Sequence, residues 1–134
     1  MSLSNATEAA ALDVFLRGVD PAYRAGTTQY LALFKSDPGE AASLAAEADY
    51  TGYARVALTK ATAWTGTSSP YANANLIQFG ACTAGTNALT HFAVVDTASG
   101  AVNMMFSGAL SATLNVSAGI QPQFPAAALS LSAD

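Results

Sequence analysis

An antiparallel β-sandwich or jelly-roll-like barrel, mainly β with a short N-terminal helix, is the fold class that the sequence predicts. Three features predict it. Short runs place apolar residues at period two, Gly, Pro, Asn and Asp clusters punctuate those runs at fairly regular intervals, and a helical spacing opens the chain. Neither an internal repeat nor a linker divides the 134 residues, so a single domain over 1–134 is expected, with the helix at about 5–18 and the sandwich at about 27–134.

Asn5 and Glu8 stand at capping-box spacing, and Ala9, Leu12, Phe15 (or Leu16) and Val19 follow at roughly helical spacing. Gly18 closes this helix, and Pro21 with Gly26 ends the segment firmly. One apolar stripe on a short helix is expected to cover one end of a sheet. The stretch TTQYLALFKSDPGE then changes the period. Tyr30, Ala32 and Phe34 point one way and Leu31, Leu33 and Lys35 the other, and both sets are largely apolar, as in a central strand covered on both faces. EAASLAAEADYTG reads as a short helix or an ordered excursion, because its alanines favour helix while its neighbours are strands.

GYARVALTKATAW alternates as a strand, TGTSSPYANAN is a polar loop, and a short strand follows from Leu76 to Phe79. ALTHFAVVDTASGAVNMMFSGAL is the clearest hairpin. Phe92 and Val94, with Val102, Met104 and Phe106 of the partner strand, are expected to line a core, and residues 96–100 supply the bend. SATLNVSAGIQPQF supplies another alternating strand through Ala112, Leu114 and Val116. Pro122 and Pro125 confine the continuation to an edge or an irregular connection, and Leu129 and Leu131 end the chain at period two.

Charge is the informative total. Charged residues make up 10% of the chain, against roughly 25% in ordinary soluble domains. Lys60 is the last Lys or Arg, and only Asp96 and Asp134 are charged after it. A monomer of this mass exposes roughly 6,500 Å², so either hydroxyls and amides cover that surface or other protein does. Five Lys plus Arg and a net charge of −4 argue against nucleic acid and against an anionic membrane surface. No run approaches the ~20 apolar residues of a spanning helix. The N-terminus lacks the pattern of a signal peptide, and a soluble intracellular product is expected.

Chemistry is sparse. The single Cys82 excludes an internal disulfide and any multi-cysteine metal site, and it suits a small core filler. His91 is the only histidine, five positions from Asp96, which opposes a dyad. The chain carries no Gly-x-Ser-x-Gly elbow, no phosphate-binding Gly-rich loop and no calcium loop, and Asp37 and Glu40 belong to a turn. No catalytic, metal or cofactor-binding residue is therefore nominated, and enzymatic function is not expected. Among the aromatics, Tyr30, Phe34, Tyr53, Phe79, Phe92 and Phe106 fall on core positions. Tyr50, Trp64 and Tyr71 fall at strand ends or in loops and are the candidate interface, where they could also stack on a glycan.

With TQYLALFKSDPGE, YTGYARVALT, LTHFAVVDTASGAVNMMFSGAL and VSAGIQPQFPAAALSLSAD following an N-terminal helix in that order, the chain resembles a family of small tailed-bacteriophage virion proteins. These are capsid decoration (cement) proteins, often described as tail-fibre proteins. Relatives commonly carry a Trp before THF, where this chain has Gly85, Thr86, Asn87 and Ala88, and an acidic residue where it has Ile120. The resemblance implies a structural protein, made in the host cytoplasm and carried on the capsid surface of the virion. It would bind the major capsid protein and copies of itself as a homo-oligomer, a trimer by the three-fold positions of shells. It needs no cofactor. A tail fibre or tail adaptor component is the alternative, and a host-glycan binding module the third.

Overall fold

The computed structural model describes residues 2–68 and 70–132, apart from the Ser2 side chain, and Asp134 lies outside them. In chain order the elements are β1 (Ser2–Leu3), α1 (Asn5–Arg17), a 3-10 turn (Ala22–Arg24), β2 (Thr28–Phe34), β3 (Val56–Thr59), α2 (Lys60–Ala63), β4 (Trp64–Thr65), β5 (Tyr71–Asn73), β6 (Ile77–Gln78), β7 (Asn87–Val95), β8 (Met104–Val116), β9 (Gln123–Phe124) and β10 (Ser130–Leu131). The protein is mainly β and antiparallel, with its helix at the N-terminus. A five-stranded sheet runs in the order β1-β8-β7-β2-β3, beside a three-stranded sheet β10-β5-β4 and the pair β6-β9.

The strict alternation of β2 decides how the layers stack. Leu31 and Leu33 enter the main core, where Leu89, Phe92 and Val94 of β7 join Ile77, Phe79, Phe124, Leu129 and Leu131 from the short strands. Ala32 and Phe34 point to the other face and form a smaller cluster with Ala93, Val95 and Met104, flanked by Ala42 and Leu44. All four of these β2 residues are fully buried, as a strand between β3 and β7 with both faces covered requires. Cys82 is a buried member of the main core.

Several expectations need correction. The helix is capped by Ser4, not Asn5: the Ser4 hydroxyl accepts from Thr7 N at 3.3 Å and donates to the Met104 carbonyl, which fastens the helix start to β8. Of the two readings of segment 40–52, the ordered excursion holds and the helix does not: the segment forms turns, with Ser43 N donating to Pro38 O at 2.9 Å and Glu47 N to Leu44 O at 3.1 Å. The strand expected from Gly52 to Trp64 contracts to β3. Gly52 comes so close to the neighbouring loop that a Cβ there would lie 2.2 Å from Ala81 O, at φ +104. After Thr59 the chain makes a helical turn, in which Lys60 N donates to Thr27 O at 2.9 Å and Lys60 Nζ to Tyr23 O at 2.7 Å.

Residues 112–116 are not a separate strand but the end of β8. Its register with β7 jumps from Leu89↔Leu114 to His91↔Ala109, so residues 110–113 bulge opposite Thr90. β1 pairs with β8 only at Ser107 and Phe106, and among the described residues no strand covers the outer edge beyond them. A bulge there makes that edge a poor template for further strands.

Neutral amides and one ion pair hold the loops. Asn73 is fully buried; its Nδ2 donates to Asn75 O and Pro125 O at 2.9 Å each, and its Oδ1 accepts from Leu129 N at 2.9 Å. Asn87 accepts from Asp49 N and Tyr50 N at 3.0 and 3.1 Å and donates to Asp49 Oδ1 at 2.8 Å. Arg55 meets Glu47 through two bonds of 2.7 and 2.8 Å and reaches the β7–β8 bend at Thr97 O and Gly100 O, 3.1 Å each. Its side chain is only 4% exposed. Tyr53 completes the network, donating to Glu47 at 2.9 Å while accepting from Leu33 N at 3.1 Å.

Two predictions follow from these contacts. Asn73→Ala leaves Leu129 N and two carbonyls without their partner, and it is expected to cost about 3 kcal/mol in denaturant unfolding; a loss under about 1 kcal/mol would show the amide to be dispensable. Burial, helped by the adjacent Glu47 charge, pushes the Tyr53 hydroxyl well above the ordinary tyrosine range against the opposing pull of Leu33 N, and burial raises Tyr50 as well. Groups whose folded pKa lies above the unfolded value contribute stability below about pH 10, and that stability is lost as the pH rises past it. Ultraviolet titration should therefore show Tyr53 ionising only with alkaline unfolding, and ionisation of all five tyrosines near pH 10 in the folded state would contradict this network.

Candidate interaction surface

The second layer does not close completely over the sheet. Where β4, β5 and β10 face β2, β7 and β8, a cavity of about 390 Å³ remains, lined by Gln29, Lys60, Trp64, Tyr71, Val94, Phe106, Leu131 and Ser132. Its aromatic residues are placed by pairing: Trp64 lies opposite Asn73 and Tyr71 opposite Leu131. Trp64 is half-buried, and Tyr71 is 40% exposed. The two aromatics picked out in the sequence thus share one site although β4 and β5 are separate strands.

Tyr50 is not part of it. It is buried in the main core, its ring packs edge-on against Tyr53 at 5.6 Å, and its hydroxyl donates to Gly80 O at 2.9 Å. A position next to a turn was read as exposed, whereas Asn87 pulls the turn into the core through the backbone of Asp49 and Tyr50.

The second part of the surface is the helix, whose orientation reverses the expectation. Thr7, Ala10, Ala11 and Val14 line a narrow cleft of about 220 Å³ against Tyr23, Met105 and Phe106. These small residues at i, i+3, i+4 and i+7 form the inward stripe. The large ones face out: Leu12 is 60% exposed, Phe15 84%, Leu16 77% and Val19 47%. No helix residue is fully buried. Glu8 shares this outward face one turn before Leu12, since residues four apart stack on one side of a helix. The cleft and the aromatic cavity share Lys60 and Phe106, so the helix flank and the cavity adjoin.

The electrostatics set one residue apart. Arg17 pairs with Asp13, Arg24 with Asp20, Lys35 with Asp49 and Arg55 with Glu47. Lys60, at the cavity, donates only to the backbone carbonyls of Tyr23 and Arg24 and meets no carboxylate among the described residues. Lys35 and Asn87 hold the Asp49 carboxyl below the usual carboxylate range. His91 hydrogen-bonds its neighbour Thr90 at 2.8 Å. No group of three His, Cys, Asp or Glu able to hold a metal occurs among the described residues, and no helix of the described residues is long and apolar enough to cross a membrane. What this surface offers is apolar and aromatic contact area.

The chain belongs to a bacteriophage virion family: the family model described as podophage GP4 fiber I protein gp80 matches residues 2–132. Nearly all of the described protein therefore lies within the match, and the protein is a virion-associated structural component. The resemblance to small phage virion proteins carried by its four ordered stretches agrees with this membership. No curated protein matches the chain.

Trp64, the only tryptophan, reports on the cavity. Acrylamide is expected to quench its fluorescence in the native protein. Tyr71→Ala should raise the quenching constant at a cost of about 1 kcal/mol in stability, whereas an unquenchable Trp64 would mean that the cavity is closed to solvent.

Proposed function

We propose that the protein is a fibre component of the phage virion, acting through contact surfaces and without catalysis or cofactor. One observation of the structure carries this reading: α1 turns its large apolar side chains away from its own sheet, a face suited to another protein rather than to solvent. The description of the matching family as a fibre protein supports the same role. In it the β layers give a rigid body, and the helix and the adjoining aromatic cavity give the joints by which the subunit meets copies of itself and its attachment point. Such joints are worth most when their aromatic anchors are desolvated together.

A second reading, capsid decoration, is favoured by a different feature. The described residues form a short body, a five-stranded sheet with two small sheets packed over its main core, without the repeats or long coiled coil of a fibre shaft. In that role it would bind the major capsid protein on the outer head, as a trimer at three-fold positions, and stabilise the expanded shell by binding only the assembled form.

Counting decides between them. Quantitative mass spectrometry of purified virions, with electron cryo-microscopy to locate the density, is expected to give a few to a few dozen copies at the tail. Hundreds of copies on the head lattice would overturn the fibre reading and establish decoration, and absence from the virion would sink both.

A further inference from the structure

We propose that the outward face of α1 in one copy seats in the aromatic cavity of a second copy, so that Phe15 and Leu16 of the partner complete the site formed by Trp64 and Tyr71. Both halves of this contact are present on one chain and neither is satisfied there. Phe15 and Leu16 stand 84% and 77% exposed, next to Leu12 at 60%. Together with Val19 they make an apolar patch on the order of 500 Å², the range in which patches on monomers are often functional. A cavity of roughly 150 Å³ holds a benzene ring, so 390 Å³ has room for the Phe15 ring and a leucine beside it. Adding the cavity walls brings the contact toward the ~800 Å² per partner of a standard interface.

Charge fixes the partner as a second copy rather than an arbitrary apolar surface. Glu8 lies on the same helix face as Leu12 and Phe15, at the N-terminal end. Lys60 lines the cavity and is the one cation of the five without a carboxylate partner among the described residues. The donor helix brings an acid, and the acceptor cavity holds the unmatched base. Because the helix flank and the cavity adjoin at Lys60 and Phe106 on each copy, with the outward face on the far side of that helix, the exchange can close reciprocally between two copies or around a small ring, as self-complementary interfaces do. The inference assumes no location in the virion.

The test uses the purified full chain. Analytical ultracentrifugation across a wide concentration range is expected to show a reversible oligomer, and Phe15→Glu to weaken it about 30-fold or more, as loss of an interface anchor does. Phe15 is so exposed that this variant should keep the wild-type circular dichroism and melting temperature under monomeric conditions. Two variants that each add one cysteine, Phe15→Cys and Tyr71→Cys, are then mixed and mildly oxidised; the native Cys82 is buried and does not compete. A disulfide formed only in the mixture places the helix of one copy in the cavity of the other. Three results would overturn the proposal: a wild-type protein that stays monomeric throughout, an oligomer indifferent to Phe15→Glu, or Phe15→Cys linking to itself in preference to Tyr71→Cys. A monomer would leave the fibre reading intact, since that reading is decided by copy number and position.

Discussion

The buried amide of Asn73 is the point on which the second layer depends. The three-stranded sheet consists of strands two or three residues long, and such strands have too few ladder bonds to hold themselves together. Asn73 supplies what the ladder lacks. It belongs to β5, its backbone N donates to Leu129 O at 3.2 Å, and its side chain ties the carbonyls of Asn75 and Pro125 to the amide of Leu129. Leu129 and Leu131 are thereby pressed onto the face made by Leu31, Phe92 and Val94. A fully satisfied buried polar group of this kind specifies one arrangement, because each alternative strands several polar atoms. The same geometry sets β4 and β10 on either side of β5, and so leaves the cavity between them and the main sheet.

The first half of the chain solves the same problem with charge. Arg55 and Glu47 bind each other bidentately with little exposure, and the guanidinium bridges the 40–55 excursion to the β7–β8 bend. The carboxylate beside it raises the Arg55 pKa further. The pair keeps its two charges because hydrogen bonds occupy the remaining donors, the condition under which a buried ion pair is tolerable. All five Lys and Arg lie in the first 60 residues: Arg17 and Arg24 pair locally with Asp13 and Asp20, Lys35 and Arg55 bind the excursion at Asp49 and Glu47, and Lys60 holds the turn at Tyr23. The second half, from β5 on, uses amides instead.

Much of the fold was legible because short apolar runs bounded by turn residues such as Asp37, Pro38 and Gly39 read as strands by their length and flanks. The division of β2 into Leu31 and Leu33 against Ala32 and Phe34 is the division between the two core clusters. The hairpin read at residues 88–110 was visible from its apolar runs and its bend, although its second strand continues to Val116. What could not be read was what each surface faces. The stripe Leu12, Phe15, Leu16 and Val19 was plain in the sequence, but a period gives a face and not its partner. The opposing run of Thr7, Ala10, Ala11 and Val14 was the available sign that small residues line the inside. Tyr50 was misread because nothing in its neighbourhood reveals that Asn87, 37 positions away, draws its backbone inward. Trp64 and Tyr71 were nominated together with Tyr50 by residue type and loop position alone, and it is the antiparallel pairing of β4 with β5 that brings these two into one cavity.

The reversed helix bears on why the chain is so poor in charge. A helix docked by its small face buries little and leaves its strongest hydrophobic groups in water, an arrangement that costs roughly 1.5–3 kcal/mol per large side chain relative to full burial. Turning α1 over would bury them, yet the Ser4 hydroxyl and Thr7 Oγ1 both bond the Met104 carbonyl and set the rotation of the first turn. The anchor therefore holds the apolar face outward. A sequence shaped for a solitary soluble monomer would place Lys or Glu at Leu12, Phe15 and Leu16, where nothing in the subunit needs a hydrophobe. Retaining three of them on one face, beside a cavity walled by the only tryptophan, makes sense when the relevant state is assembled. In the assembly proposed above, the shortage of surface charge would lower the cost of bringing copies together, since fewer ionic groups must be desolvated.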